Sequence, residues 1–221
     1  GAGKSTLAMA MVGLLRAGCR HVAGKVTLAG QSLFDLSQPQ LEQVRRRKVS
    51  YVAQSAAAAF NPFYRLGDQV TELAALELGT PPRARRKMAE DLFRELQLPD
   101  PETFGMRYPH QVSGGQLQRA MIAMALINNP DLIIFDEPTT ALDVTTQLEV
   151  MRLIRKIVTA RGCGAIYISH DLAVVAQLAD RLMVLRHGKV VEAGATRDLM
   201  ENPTQDYTRA LVAAKTTTSP P

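Results

Sequence analysis

Leu132-Ile133-Ile134-Phe135-Asp136-Glu137 runs four apolar residues straight into two carboxylates. A run without polar alternation predicts a strand covered on both faces, as in a parallel sheet flanked by helices. In open α/β sheets ligands gather beyond the carboxyl ends of the strands, so Asp136 and Glu137 stand where chemistry is expected. Upstream, Gln116 to Asn128 carries a helical apolar pattern stopped by Asn129-Pro130. Downstream, Thr145 to Arg161 reads as a helix ending at Gly162, Ala165 to Ser169 as a strand, Leu172 to Leu178 as a helix and Arg181 to Leu185 as a strand. That alternation assigns the chain to the α/β class.

A second chemical signal opens the chain. Gly1-Ala2-Gly3-Lys4-Ser5-Thr6 matches the end of the loop G-x-x-x-x-G-K-[ST], in which backbone N–H groups converge on phosphate oxygens and a lysine reaches the β and γ phosphates. Leu7, Met11, Leu14 and Leu15 recur at helical spacing as far as Ala17-Gly18, predicting a buried helix from Lys4 whose dipole favours an anion at its start. A glycine-rich helix cap also reads the hexapeptide, and two solvated acids also read Asp136-Glu137. The pair in this order favours phosphate chemistry. Ser5 then ligates Mg²⁺, Asp136 is its partner through water, and Glu137 is the general base that orients or deprotonates an attacking water. The loop's first glycine would precede residue 1, and the chain opens without methionine, so an upstream strand is expected.

Between these signals, Val26 to Gly30 and Val49 to Ala53 read as strands, the second delivering Gln54 at its carboxyl end. From Ser55 to Gly115 proline and alanine breaks separate helical stretches, among them Arg83 to Leu96 with Met88, Leu92 and Leu96 on one face. This predicts a helical insert, 55–115, in a core made of 1–54 and 116–200. Residues 201–221 form an extension in which Asp206 to Ala214 is a last helix. Arg186-His187-Gly188-Lys189 reads as the turn of a hairpin into Val190-Val191.

Composition excludes other classes. The 221 residues are 46% hydrophobic and 21% charged, which rules against collagenous, coiled-coil and wholly disordered chains. A net charge of +5 suits an anionic ligand without identifying one. Cys19 and Cys163 form neither a C-x-x-C nor a zinc spacing, so unpaired thiols in a reduced compartment are expected. Apolar runs stop short of the roughly 20 residues of a membrane span, and no secretory leader opens the chain. Arg45-Arg46-Arg47-Lys48 reads as the basic end of a helix rather than a nucleic-acid patch.

Val112-Ser113-Gly114-Gly115-Gln116 completes the pattern. With it the sequence resembles the ATP-binding subunits of ABC transporters over nearly its whole length. The motifs follow in the family's order: Gly3-Lys4-Ser5, Gln54, Ser113-Gly114-Gly115-Gln116, Asp136-Glu137, Ala141-Leu142-Asp143 and His170. The resemblance implies a P-loop NTPase (RecA-like) parallel-sheet core with an inserted helical subdomain, hydrolysing ATP with Mg²⁺. It makes Gly1, Ala2, Gly3, Lys4, Ser5 and Thr6 the phosphate loop, and an adenine-stacking aromatic is expected upstream of it. Gln54 becomes a metal-sensing hinge, and His170 a switch that contacts the γ phosphate and positions Glu137. Ser113 to Gln116 faces the nucleotide of the opposite subunit, and Asp143 organises that dimer interface. His21, His110 and His187 are read as structural.

The implied partners are a second cassette, identical or related, two transmembrane permease subunits and a periplasmic or extracellular solute-binding protein, without nucleic acid. The implied location is the cytoplasmic face of the inner (plasma) membrane, as a peripheral protein. Asn61-Pro62 and the segment Asn202-Pro203-Thr204-Gln205-Asp206-Tyr207-Thr208-Arg209-Ala210-Leu211 resemble the peptide, opine and nickel uptake branch. Oligopeptide or dipeptide import is therefore expected. The alternatives are an ATPase subunit of a carbon–phosphorus lyase assembly and, less favoured, a DNA-associated ABC ATPase. The cysteine-bearing tail of part of that branch is absent, so no iron–sulfur site is implied.

Overall fold

The computed structural model describes residues 2–15, 17–138 and 144–216. Gly1, Asp143 and the neighbouring Ala141-Leu142 lie outside them. In chain order the helices and strands are α1 (Lys4–Met11), β1 (Thr27–Leu28), β2 (Gln31–Ser32), α2 (Gln38–Lys48), β3 (Val49–Val52), α3 (Ala56–Ala59), α4 (Leu66–Leu78), α5 (Pro82–Glu95), α6 (Pro101–Phe104) and α7 (Gly114–Leu126). They continue with β4 (Leu132–Asp136), α8 (Val144–Arg161), β5 (Gly164–Ile168), α9 (Leu172–Leu178), β6 (Arg181–Arg186), β7 (Lys189–Ala195), α10 (Thr196–Glu201) and α11 (Asp206–Thr216). Two compact units result, one of residues 25–166 and one of 1–24 with 167–221.

In the unit of residues 25–166, β1 and β2 form a hairpin whose turn residues Ala29 and Gly30 both have positive φ, 48° and 80°. A two-residue turn of that kind matches the twist of paired strands. It lies over Leu33, Leu41 and Val44. Helix α2 starts where Gln40 Oε1 accepts the Ser37 N–H at 3.0 Å and ends in the four basic residues Arg45 to Lys48, which complement the negative end of its dipole. It leads directly into β3. Strands β3 and β4 pair in parallel, from Val49 opposite Leu132 to Val52 opposite Phe135. Ile133, Ile134 and Phe135 have no exposed surface, as the unbroken apolar run predicts. Burying each stabilises the fold by about 1.5–3 kcal/mol. Gly164, which opens β5, donates its N–H to Asp131 O at 2.9 Å, and β5 borders β4 in the sheet.

Helices α3 to α6 follow the sheet strand that delivers Gln54. Leu92, Phe93 and Leu96 of the α5 segment are buried, and the Phe93 and Phe104 rings meet edge-on with centroids 5.0 Å apart. Gly67 donates its N–H to Gly105 O at 2.9 Å, and a Cβ on Gly67 would fall 3.0 Å from that oxygen. Two backbones meet there with no room for side chains. Helix α7 packs on α3, α4 and α5 and also on β3, so it joins the helical segment to the sheet.

In the other unit, β6 and β7 form a hairpin turned at His187-Gly188, where φ is 49° and 74°, as the sequence predicted. Leu182, Val184 and Leu199 form its core, with α9, α10 and α11 around it. Helix α1 is shorter than its periodicity suggests. It stops at Met11 because Gly13 turns left-handed at φ 69°, leaving Leu14 and Leu15 42% and 38% exposed rather than buried. Both cysteines are free, and among the described residues no helix is long and apolar enough to cross a membrane.

Candidate functional site

The candidate residues fall in both units. In the unit that holds the chain start, Gly3 stands before α1 at φ 84°, a conformation that glycine adopts without steric cost. Its N-terminal neighbour is anchored, since Gly188 N–H donates to Ala2 O at 3.1 Å. The Leu7 N–H closes the first helical bond onto Gly3 O at 2.9 Å. The first turn, Lys4 to Thr6, therefore directs its N–H groups out of the helix end, where anions bind. Lys4 and Ser5 are half-buried and Thr6 is exposed. His170, exposed, sits between the end of β5 and the start of α9. Its position is set by its neighbours: Asp171 N–H donates to Ser169 Oγ at 2.9 Å, and Asp171 Oδ1 accepts the Val174 N–H at 3.2 Å.

In the unit of residues 25–166, Asp136 is the last residue of β4 and Glu137 the first beyond it. Glu137 has φ 49°, which breaks the strand at the second carboxylate. A left-handed conformation costs a non-glycine residue about 1–2 kcal/mol. Each carboxylate is held from the neighbouring parallel strand. Gln54, just beyond β3, donates from Nε2 to Glu137 Oε2 at 3.2 Å. Tyr51, within β3, donates from its hydroxyl to Asp136 Oδ2 at 2.5 Å. The structure thus brings Gln54, Asp136 and Glu137 together, as expected for strand ends of a parallel sheet.

Ser113 to Gln116 starts α7 with a reciprocal cap: Ser113 Oγ accepts the Gln116 N–H at 3.3 Å and Gln116 Oε1 accepts the Ser113 N–H at 3.1 Å. A Cβ at Gly114 would meet nothing within 4 Å, so packing in this chain does not explain the glycine; its effect is a bare helix tip. One turn further, Arg119 donates from Nη1 to Gln97 O at 3.0 Å and Leu96 O at 3.4 Å, tying α7 to the end of α5. Burial pushes its guanidinium pKa down, and the Glu149 charge opposes this.

Tyr51 and Arg119 were not foreseen. A tyrosine inside an apolar strand reads as core, and an arginine inside a helix reads as solvated; only the spacing of Tyr51 before Gln54 could have drawn attention. The Gly1 and Asp143 assignments lie outside the described residues.

The family model for ABC transporters matches residues 1–140. The chain belongs to the ABC transporter family. It is 42% identical over 214 residues to the probable D,D-dipeptide transport ATP-binding protein DdpD of Escherichia coli, covering 96% of this chain and 65% of that protein. It is 38% identical over 212 residues to the oligopeptide transport ATP-binding protein OppD of Lactococcus lactis subsp. cremoris, with 96% and 63% covered. The chain thus spans a little under two thirds of the length of these relatives. The dimeric ATP-binding cassette MJ0796 in a post-hydrolysis state, bound to ADP and Pi, matches with a TM-score of 0.75 at 29% identity, over 89% of this chain and 82% of that one. The fold is therefore the ABC cassette, and the parallel pairing of β3 with β4 is part of it.

Proposed function

We propose that this ABC-family chain is the ATP-hydrolysing subunit that drives import of peptides through separate permease subunits. The observation that carries the catalytic part is the Gln54–Glu137 hydrogen bond at the ends of two parallel strands. Glu137 accepts a proton from the attacking water; the water oxygen bonds to the γ phosphorus as the bond to the β–γ bridging oxygen breaks, releasing ADP and phosphate. Gln54, bonded to that same carboxylate, orients it and responds to what binds there. Lys4 and the N–H groups opening α1 neutralise phosphate oxygens. His170 donates to the γ phosphate as charge develops on it.

Mg²⁺ suits the donors present. It takes one or two carboxylates with phosphate oxygens and waters rather than an all-protein cage. Among the described residues no cluster of His, Cys, Asp and Glu would hold a metal alone. Ser5 and Asp136 each offer an oxygen ligand of the required kind, and the ion, when bound, would supply positive charge against the phosphate oxygens.

The bare tip at Gly114 supports a head-to-tail pair of cassettes in which Ser113-Gly114-Gly115 meets the nucleotide of the other copy. Gln54 leads into the helical segment 55–115, and Asn61 to Val70 is the stretch through which movement reaches a permease; Phe63 and Tyr64 there are 84% and 60% exposed. Peptides as cargo rest on the relatives' names; the solute-binding protein and the cytoplasmic membrane face rest on the family resemblance of the motifs. Glu137→Gln tests the assignment. ATP binding should survive while steady-state hydrolysis falls at least about a hundredfold, whereas Lys4→Ala should weaken binding itself. Ordinary turnover by Glu137→Gln would remove the base.

A further inference from the structure

Strand β3 carries Val49-Ser50-Tyr51-Val52, in which Val52 is fully buried and Tyr51 is 38% exposed. The parallel register sets Tyr51 opposite Ile134. Side chains two apart along a strand share a face, so Tyr51 shares a face with Asp136, roughly 7 Å further along β4. A phenol spans that gap. Its hydroxyl reaches Asp136 Oδ2 at 2.5 Å, the length of a bond from O–H to an ionised oxygen.

We propose that Tyr51 is a positioning residue for the metal-binding carboxylate: by donating to Oδ2 of Asp136 it fixes the plane of the group that serves Mg²⁺. The inference rests on the reading above, in which Asp136 serves that ion. A carboxylate has about four lone-pair directions, so the Tyr51 bond takes up one of them while restricting rotation about the last side-chain bond. Outer partners of this kind affect metal affinity by about 10–100-fold. Tyr51 and Gln54 then divide the work of β3: one holds the metal carboxylate, the other the base.

Tyr51→Phe keeps the ring and deletes only the donor. In the full chain, Mn²⁺ binding is followed by electron paramagnetic resonance in the presence of a non-hydrolysable ATP analogue. The Mn²⁺ dissociation constant should rise about tenfold, analogue binding in EDTA should stay within about twofold of wild type, and excess Mg²⁺ should restore the rate of hydrolysis. In an Asp136→Asn background, Tyr51→Phe should cause no further loss. Unchanged Mn²⁺ affinity, a rate deficit that excess Mg²⁺ does not restore, or a full additional loss in the Asp136→Asn background overturns the proposal. Wild-type chain that takes up no metal–nucleotide overturns the function proposed above, and this inference with it. Normal uptake by wild type with an unchanged variant overturns this inference alone.

Discussion

Glu137 combines a chemical and a conformational demand. Its carboxylate accepts from Gln54, yet its φ of 49° is one that a side chain resists. Glu137→Gly removes that strain and Glu137→Ala keeps it, so the glycine variant should be more stable than the alanine variant by about 1 kcal/mol, read from urea midpoints at equal m-value. Equal midpoints would mean the turn is not strained. At this scale the sequence was informative where chemistry dictates residue type. Asp136 and Glu137 were legible because two carboxylates ending a buried strand have few packing roles, whereas Gln54, alone an ordinary loop glutamine, was legible only through the family resemblance of its surroundings. Tyr51 was not, because a phenol in a strand satisfies the hydrophobic pattern equally well, and only the register with β4 reveals what its hydroxyl reaches.

At the scale of elements, periodicity predicted β4, α9 and the β6–β7 hairpin closely, because an unbroken apolar run, a strong helical repeat and a His-Gly turn are local signals. It failed at α1, where one glycine outweighed two leucines that continued the helical spacing. The anchoring of α7 was also hidden, since Arg119 reaches carbonyls more than 20 residues away. Arg119→Met strips the donors from those carbonyls and should cost about 1–3 kcal/mol, measured by urea unfolding. A neutral result would show that water replaces the guanidinium.

The extension after residue 200 is tied by β7. Glu192 Oε1 accepts the Thr204 N–H at 2.9 Å and its hydroxyl at 2.8 Å, and Oε2 accepts the Gln205 N–H at 3.3 Å. The Thr208 hydroxyl, which faces the group without meeting strict hydrogen-bond geometry, and these Thr204 and Gln205 donors hold the carboxyl at about 2, below the ordinary 4.5. The folded state thus binds the proton more weakly than the unfolded chain. The contribution is complete above pH 4.5 and disappears as pH falls towards 2. Amide exchange in Thr204 and Gln205 should accelerate across that window, and Glu192→Gln should make it fast at neutral pH. Exchange independent of pH there, once its intrinsic rate is removed, would contradict the tether.

At the scale of the whole molecule, the family was legible from the order of its motifs, and the family model over residues 1–140 and the match to a dimeric cassette bear out the family. The proposed dimerisation would leave an indirect trace among the described residues, the glycine at the tip of α7, where a Cβ would meet nothing within 4 Å. That trace offers a clean substitution. Gly114→Asp has open space around its new side chain and places an anion at a helix N-terminus, so the variant should fold at least as well as wild type. The same charge would repel a facing phosphate. The decisive measurement is ATP hydrolysis by Gly114→Asp chains, by Lys4→Ala chains, and by the two mixed. Each variant alone should be inactive, and activity should reappear on mixing, because one of the two interfaces in a mixed pair joins an intact phosphate loop to an intact helix tip. A mixture as inactive as its components, or full hydrolysis by Gly114→Asp alone, would contradict a nucleotide site shared between two copies.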